Sequence, residues 1–278
     1  MNQDPDLSPN RARVPTRCIV TGAARGIGRA IALRLARDAS TQGGARLLLV
    51  DQHADELGSL VDEVRALGGK ARALTGDLCD PAVPDTLVAA ALEMAEGIDA
   101  VVSNAGFAIP GPLLDYEIEA WDRIFAVNVR APWLLARAAH GALRASRGAF
   151  LLTASISGTH ATSPLGAYSP SKAAALMLVK QLANEWGPDG IRVNALSPGL
   201  TLTPGTAAAY SDPSARAQRE QRVPLRRLAT AEDMANAAAF LLGPDAAYVS
   251  GTELLVDGGL GNGLMGSLQM AGWGRGAG

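Results

Sequence analysis

Residues 18–28 read Cys-Ile-Val-Thr-Gly-Ala-Ala-Arg-Gly-Ile-Gly. An apolar run that breaks into glycines and passes into a helical pattern predicts a strand, a tight turn and a helix start. Gly22, Gly26 and Gly28 let backbone N–H groups approach a ligand closely, and the helix N-terminus favours an anion such as a pyrophosphate. Taken alone, such a turn is equally compatible with a structural role. The chain downstream of it decides the fold. Six more short apolar runs occur there: RLLLVD, ARALTGD, AVVSNAG, AFLLTAS, IRVNALSPG and ELLVDGG. Helical stretches at 28–38, 54–67 and 84–96 lie between the early runs, so crossovers join the strands and the seven-stranded sheet should be parallel. The runs lack polar alternation, as strands covered on both faces do. The expected fold is α/β, one doubly wound domain whose ligands bind beyond the carboxyl ends of the strands.

Outside that framework, the chain of 278 residues is 48% hydrophobic, enough for one full core. Residues 1–16, with three prolines and no periodicity, read as an arm, residues 17–262 as the domain and 263–278 as a tail. A net charge of −2 from 25 basic and 27 acidic residues favours neither nucleic acid nor an anionic membrane. No apolar run is long enough to span a bilayer and no secretory signal opens the chain, so a cytoplasmic protein is expected. Cys18 and Cys79 read as free thiols of a reduced compartment. His53, His140 and His160 stand apart from one another and from the cysteines, so no metal is expected. Residues 200–227 form a long break rich in Thr, Ala, Pro and Arg, a candidate substrate lid.

The sharpest chemical signal is Tyr168-Ser169-Pro170-Ser171-Lys172. Four-residue spacing puts phenol and ammonium on one helix face, with Pro170 in the first turn. A phenol of pKa about 10 is a poor base at neutral pH, and an adjacent cation favours its phenolate. Asp51 ends the second run, where a carboxylate accepts hydrogen bonds from ribose hydroxyls and repels a 2′-phosphate, which favours NAD over NADP. It also suits a helix N-cap, and the two roles can coexist. Arg25, within the glycine turn, argues mildly for NADP.

The Gly-x-x-x-Gly-x-Gly spacing at 22–28, together with Tyr-x-x-x-Lys, resembles the short-chain dehydrogenase/reductase family, a Rossmann-like fold. The resemblance extends over residues 17–259 with its motifs in order. It implies that Asp77-Leu78 meets the adenine, that Asn104-Ala105-Gly106 follows the fourth strand at the cofactor, and that Tyr168 is the acid/base. It implies further that Lys172 grips the nicotinamide ribose, and that Ser155, thirteen residues before Tyr168 at the end of the fifth strand, orients the substrate oxygen. Ser157 reads better as a loop-capping hydroxyl. Asn128, an otherwise unfavourable helix-interior residue, matches the family's asparagine in the proton relay. Pro198-Gly199 and Thr203 match the segment that meets the nicotinamide carboxamide. Thr201 departs from it, standing where relatives carry an apolar residue. Ser250-Gly251 and Val256-Asp257-Gly258-Gly259 complete the pattern. The implied catalytic set is Asn128, Ser155, Tyr168 and Lys172. The implied cofactor set is Gly22, Arg25, Gly26, Ile27, Gly28, Asp51, Asp77, Leu78, Asn104, Ala105, Gly106, Tyr168, Lys172, Pro198, Gly199, Thr201 and Thr203.

These residues lead to an expected oxidoreductase moving hydride between a nicotinamide cofactor, NAD favoured, and a secondary alcohol or ketone. Two rivals are an NADPH-dependent reductase of 3-oxoacyl thioesters, with Arg226 and Arg227 as carrier-docking candidates, and a dinucleotide-binding sensor without turnover. Intact Ser155, Tyr168 and Lys172 argue against the sensor. Residues 173–179 are apolar all round, and Trp133, Leu134 and Leu135 offer a similar surface, so a second subunit is expected to cover them; the resemblance, to a family that commonly pairs these two helices across a two-fold axis, implies a homotetramer, with a dimer as the alternative. The tail residues Leu264, Met265, Leu268, Met270 and Trp273 are expected to pack on the body or on a neighbour.

Overall fold

Val20, Leu47 and Leu49 turn to one side of the sheet and Ile19, Leu48 and Val50 to the other, and all six are buried. This period of two, apolar on both phases, is what a sheet covered on both faces requires. The computed structural model describes residues 14–163 and 165–263. Its strands are β1 (Arg17–Thr21), β2 (Arg46–Asp51), β3 (Lys70–Thr75), β4 (Ala100–Ser103), β5 (Ala149–Thr153), β6 (Arg192–Pro198) and β7 (Glu253–Val256). They form one parallel sheet in the order β3-β2-β1-β4-β5-β6-β7. The seven-stranded parallel α/β architecture is therefore as expected.

Helices α1 (Gly26–Ala39), α2 (Ala54–Ala66) and α8 (Ala231–Leu242) supply the core on one face. Helices α3 (Val83–Met94), α5 (Ala131–Ser146) and α6 (Tyr168–Trp186) supply it on the other. Burying a leucine or isoleucine of these layers contributes roughly 1.5–3 kcal/mol. Strand order reverses between β1 and its two neighbours β2 and β4, which opens a crevice above their carboxyl ends.

Several boundaries differ from expectation. Helix α1 starts at Gly26, inside the glycine turn. Strand β5 ends at Thr153, so Ser155 lies beyond it and caps a short 3₁₀ turn, Ile156–Gly158, by accepting from Ser157 N. Strand β3 is largely exposed because it pairs on one edge only. The break at 200–227 is not structureless: it holds a 3₁₀ turn at Ala207–Tyr210 and α7 (Pro213–Arg222), which buries no residue. Helix α4 (Ile118–Phe125) continues into α5 through a π-helical turn, Ala126–Arg130. Of the arm, Thr16 is already part of the fold, its N and Oγ1 donating to Asp99 Oδ2 at 3.1 and 3.2 Å. The tail residues Leu264, Met265, Leu268, Met270 and Trp273 lie outside the described residues.

Both thiols are free, Cys18 buried and Cys79 half-buried. Among the described residues no helix is long and apolar enough to cross a membrane.

Candidate active site

Three loops from β1, β4 and β6 converge above the crevice. The glycine turn is braced from below by Thr21, whose buried Oγ1 accepts from the N–H groups of Asn104 (3.0 Å) and Ala105 (3.1 Å). Asn104 Nδ2 in turn donates to the carbonyls of Thr21 and Gly22, both at 3.1 Å. Gly26 takes φ +58°, a left-handed conformation that costs most other residues strain. At Gly28 a Cβ would lie 2.1 Å from Gly22 O, so only glycine lets the helix pack here.

Helix α1 begins with no side-chain cap and no acidic residue in its first turn. It shares the missing cap with α2 to α6, and what sets it apart is the glycine turn that leads into it at the carboxyl end of β1. An uncapped helix start with orphan N–H groups and a positive dipole end is what a dinucleotide's pyrophosphate fits. The N–H groups of Gly26, Ile27 and Gly28 are the ones available to hold it.

Asp51 stands beside this turn and is fastened to it. Its Oδ2 accepts from Ala24 N at 3.0 Å, and its Oδ1 accepts from Gln52 N at 2.7 Å and His53 N at 3.3 Å. It is not the cap of α2, whose N-cap is His53. Three bonds leave a carboxylate with acceptor capacity to spare for a ribose hydroxyl. Arg25 is exposed at the N-cap of α1, within the same loop. Asp77 Oδ1 accepts from Cys79 N at 2.9 Å and from Gln52 Nε2 at 3.4 Å, and Leu78 is buried in the core.

At the other end of the crevice Ser155, Tyr168 and Lys172 come together. Ser155 Oγ accepts from Ser157 N at 3.1 Å, which leaves its own proton free to be donated. Tyr168 keeps part of its surface open, as a group that must meet a substrate has to. Crowding by protein raises its phenol above the ordinary value of 10, and a hydrogen bond with Ser155 works in the opposite direction. Lys172 is buried, and desolvation lowers its ammonium to about 8. Its Nζ donates to Thr153 O at 2.8 Å and lies 5.6 Å from the centre of the Tyr168 ring.

Asn128 lies in the π-helical turn, buried, with both amide N–H groups and one Oδ1 lone pair engaged. Its Oδ1 accepts from Phe107 N at 3.2 Å, and its Nδ2 donates to Phe107 O and Ser171 Oγ at 3.0 Å each. The side chain thus ties the β4 loop to α6. A Cβ at Gly106 would come within 3.0 Å of Asn128 Oδ1 and 3.1 Å of Lys172 Nζ, so glycine keeps this floor open.

The β6 loop closes over the glycine turn. Thr203 Cβ would be 3.3 Å from a Cβ on Gly26. Thr201 is buried and donates its hydroxyl to Gly199 O at 3.1 Å, so the departure from an apolar residue is satisfied locally. Asp257, buried below, accepts from Gly259 N (2.8 Å) and Gly261 N (2.6 Å), and Gly199 packs against it too closely for any Cβ. Ser250 and Gly251 are elsewhere: they hold Val193 at the foot of β6. An arginine-bearing cleft at that foot, lined by Arg17, Arg46, Arg147 and Arg192 among others, shares no residue with the site.

Three structural contributors carried no sequence signal of their own. Thr153 offers only a carbonyl to Lys172, and any residue type has one. Ser171 is buried, with Oγ donating to Tyr168 O at 2.7 Å. Thr206 Oγ1 donates to Thr201 O at 2.7 Å and accepts from Thr203 N at 3.0 Å, fastening the loop over the glycine turn.

A family model described as enoyl-(acyl carrier protein) reductase matches residues 22–261. The chain is 36% identical over 245 residues to an L-rhamnose 1-dehydrogenase (NAD(P)(+)) of Sphingomonas sp. strain SKA58, covering 87% of this chain and 94% of the relative. A short chain dehydrogenase of Burkholderia cenocepacia J2315, solved in complex with NADP, is 34% identical with a TM-score of 0.80, covering 88% and 97% of the two chains. A 7α-hydroxysteroid dehydrogenase complexed with NADH and 7-oxo glycochenodeoxycholic acid is 32% identical with a TM-score of 0.83, covering 91% and 97%.

Proposed function

The chain belongs to the short-chain dehydrogenase/reductase family and is a nicotinamide-dependent oxidoreductase; from that premise we propose that Tyr168 is its acid/base, that NAD is its preferred cofactor, and that it interconverts a secondary alcohol and a ketone. The observation that carries this reading is the Ser155–Tyr168–Lys172 cluster, set at the carboxyl end of the sheet at the other end of the crevice from the glycine turn and the start of α1.

In oxidation the Tyr168 phenolate takes the hydroxyl proton of the alcohol, and in reduction the phenol returns it. Ser155, with one lone pair occupied by Ser157 N–H, turns its proton toward the substrate oxygen. Lys172 is held by Thr153 O and keeps its charge at neutral pH, which favours the phenolate. Its remaining donors would hold the ribose of a bound cofactor. When bound, the nicotinamide supplies the hydride donor or acceptor. The Asn128 amide, engaged with Phe107 and Ser171, ties the β4 loop to α6, and Oδ1 keeps a second lone pair with which to accept from a water of the proton relay.

NAD preference is supported by Asp51, whose carboxylate next to the turn repels a 2′-phosphate. For the carrier-docking rival, Arg227 is already paired with Asp233 at 2.6 and 2.9 Å, while Arg226 is exposed and donates one bond to Gln221 O. The test is a screen of secondary alcohols and ketones with NAD and with NADP, following nicotinamide absorbance. Turnover with higher kcat/KM for NAD is expected. A higher value with NADP would show that Arg25 outweighs Asp51.

A further inference from the structure

We infer that Arg29 is a positioning residue for the cofactor: its guanidinium ties the peptide unit before Arg25 to α2 and so holds the glycine turn and the Asp51 corner at a fixed spacing. The inference rests on the dinucleotide-binding reading above. Arg29 stands in the first turn of α1, and its side chain is 23% exposed. It turns back to the loop and across to α2. Nη1 donates to Ala24 O at 3.2 Å and to Glu56 O at 3.1 Å, and Nη2 donates to Ser59 Oγ at 2.8 Å and to Glu63 Oε1 at 2.7 Å. One planar fork thus joins the turn to α2 at three positions, a geometry that arginine supplies and lysine does not.

Three successive peptide units of the turn are held in this way. Ala23 N donates to Val50 O at 3.1 Å, Ala24 N donates to Asp51 Oδ2 at 3.0 Å, and Ala24 O accepts from Arg29. The carbonyl of Ala24 and the N–H of Arg25 belong to one planar unit, so fixing the first fixes the second. The backbone of α1 restrains this point weakly, because Arg29 N–H meets Arg25 O at 3.5 Å. Asp51 in turn accepts from Gln52 N and His53 N and leads into α2 at Ala54. Both restraints therefore meet at Ala24, Asp51 on its N–H and Arg29 on its carbonyl. The other charges of this corner do not duplicate the clamp: Arg25 is exposed, and His53 lies 3.8 Å from the Glu56 carboxylate while Arg29 takes the Glu56 carbonyl.

The test is fluorescence titration of NADH, with steady-state kinetics on NAD and NADP, for the full-length parent, Arg29→Met and Arg29→Lys. The methionine keeps the aliphatic stem and removes the fork. It should raise the NADH dissociation constant and the KM for NAD about tenfold, with kcat within about twofold, because the reacting end of the crevice is untouched. The NAD over NADP ratio in kcat/KM should fall about threefold as Asp51 loses its fixed place. Arg29→Lys keeps the charge without the fork and should resemble the methionine variant. In the cofactor-free protein, amide exchange over residues 22–27 should quicken about tenfold in both variants, with α6 unchanged. An unchanged dissociation constant in Arg29→Met would overturn the inference, and full affinity in Arg29→Lys would show that charge alone acts and overturn it equally. Should Arg29→Met fail to fold, Ser59→Ala removes one acceptor of the fork and should raise the dissociation constant about threefold; affinity equal to the parent's there would overturn the inference. A parent that binds neither NADH nor NADPH would overturn the dinucleotide reading, and the inference with it.

Discussion

Burying the Lys172 ammonium makes its proton harder to hold in the folded chain than in the unfolded one, and this has a measurable consequence. Its pKa falls from 10.5 to about 8 through desolvation. Between those values the unfolded chain binds more protons, so unfolding free energy rises with pH, by at most roughly 3 kcal/mol for such a drop. Tyr168 acts oppositely: its folded phenol keeps a proton above pH 10, so its contribution is lost as pH rises past that point. Chemical denaturation of the cofactor-free protein from pH 8 to 10 should therefore show the wild type gaining stability relative to Lys172→Met; parallel curves would contradict the buried cation. Asp51→Asn keeps an acceptor for Ala24 N–H and removes the charge. It should lower the NAD over NADP preference in kcat/KM about tenfold, and an unchanged ratio would place selectivity elsewhere. Residues whose chemistry is rare at their spacing, such as Tyr168 with Lys172, were legible in the sequence. Thr153 was not, because it contributes a carbonyl that every residue possesses and only the fold brings it to Nζ.

Among the elements, central strands were legible because burial on both faces leaves unbroken apolar runs, while their ends were not. Strand β5 stops at Thr153 because Ser155 N-caps a 3₁₀ turn, a choice made by Ser157 N–H rather than by any apolar pattern. The π-helical turn at Ala126–Arg130 was also hidden, since one extra residue per turn hardly disturbs a helical periodicity, yet Asn128 reaches Phe107 from that turn. The β6 loop shows no apolar periodicity in the sequence, and its ordering depends on Thr206, whose bonds to Thr201 and Thr203 are tertiary facts. Thr206→Val should release Thr203 from its place over Gly26. The variant loses every bond made by this hydroxyl, and if about 1 kcal/mol of that loss, the worth of one hydrogen bond, reaches the cofactor, the NADH dissociation constant rises roughly fivefold, with Thr206→Ser close to wild type. Fluorescence titration of NADH checks this, and equal affinity in the valine variant would show that the clamp plays no part in holding the cofactor.

At the scale of the whole molecule, one face of α5 and α6 is left without a cover in the single chain. Met177 is 62% exposed, and Phe125, Val129, Trp133 and Leu178 line an apolar hollow between α4, α5 and α6. Two residues expected on this surface are not there: Leu134 and Leu135 are buried within the chain itself, Leu135 in the core on the sheet side of α5. The proposal that copies pair through this face into a homotetramer predicts a four-chain particle by light scattering at low micromolar protein; a stable, active monomer would refute it. The claim on which the rest depends is that the molecule turns over through the Tyr168 hydroxyl, and Tyr168→Phe removes that group alone. Steady-state rates and NADH titration of this variant should give a loss of about 10² to 10⁴ in kcat with NADH affinity unchanged, whereas turnover close to wild type would contradict Tyr168 as the acid/base.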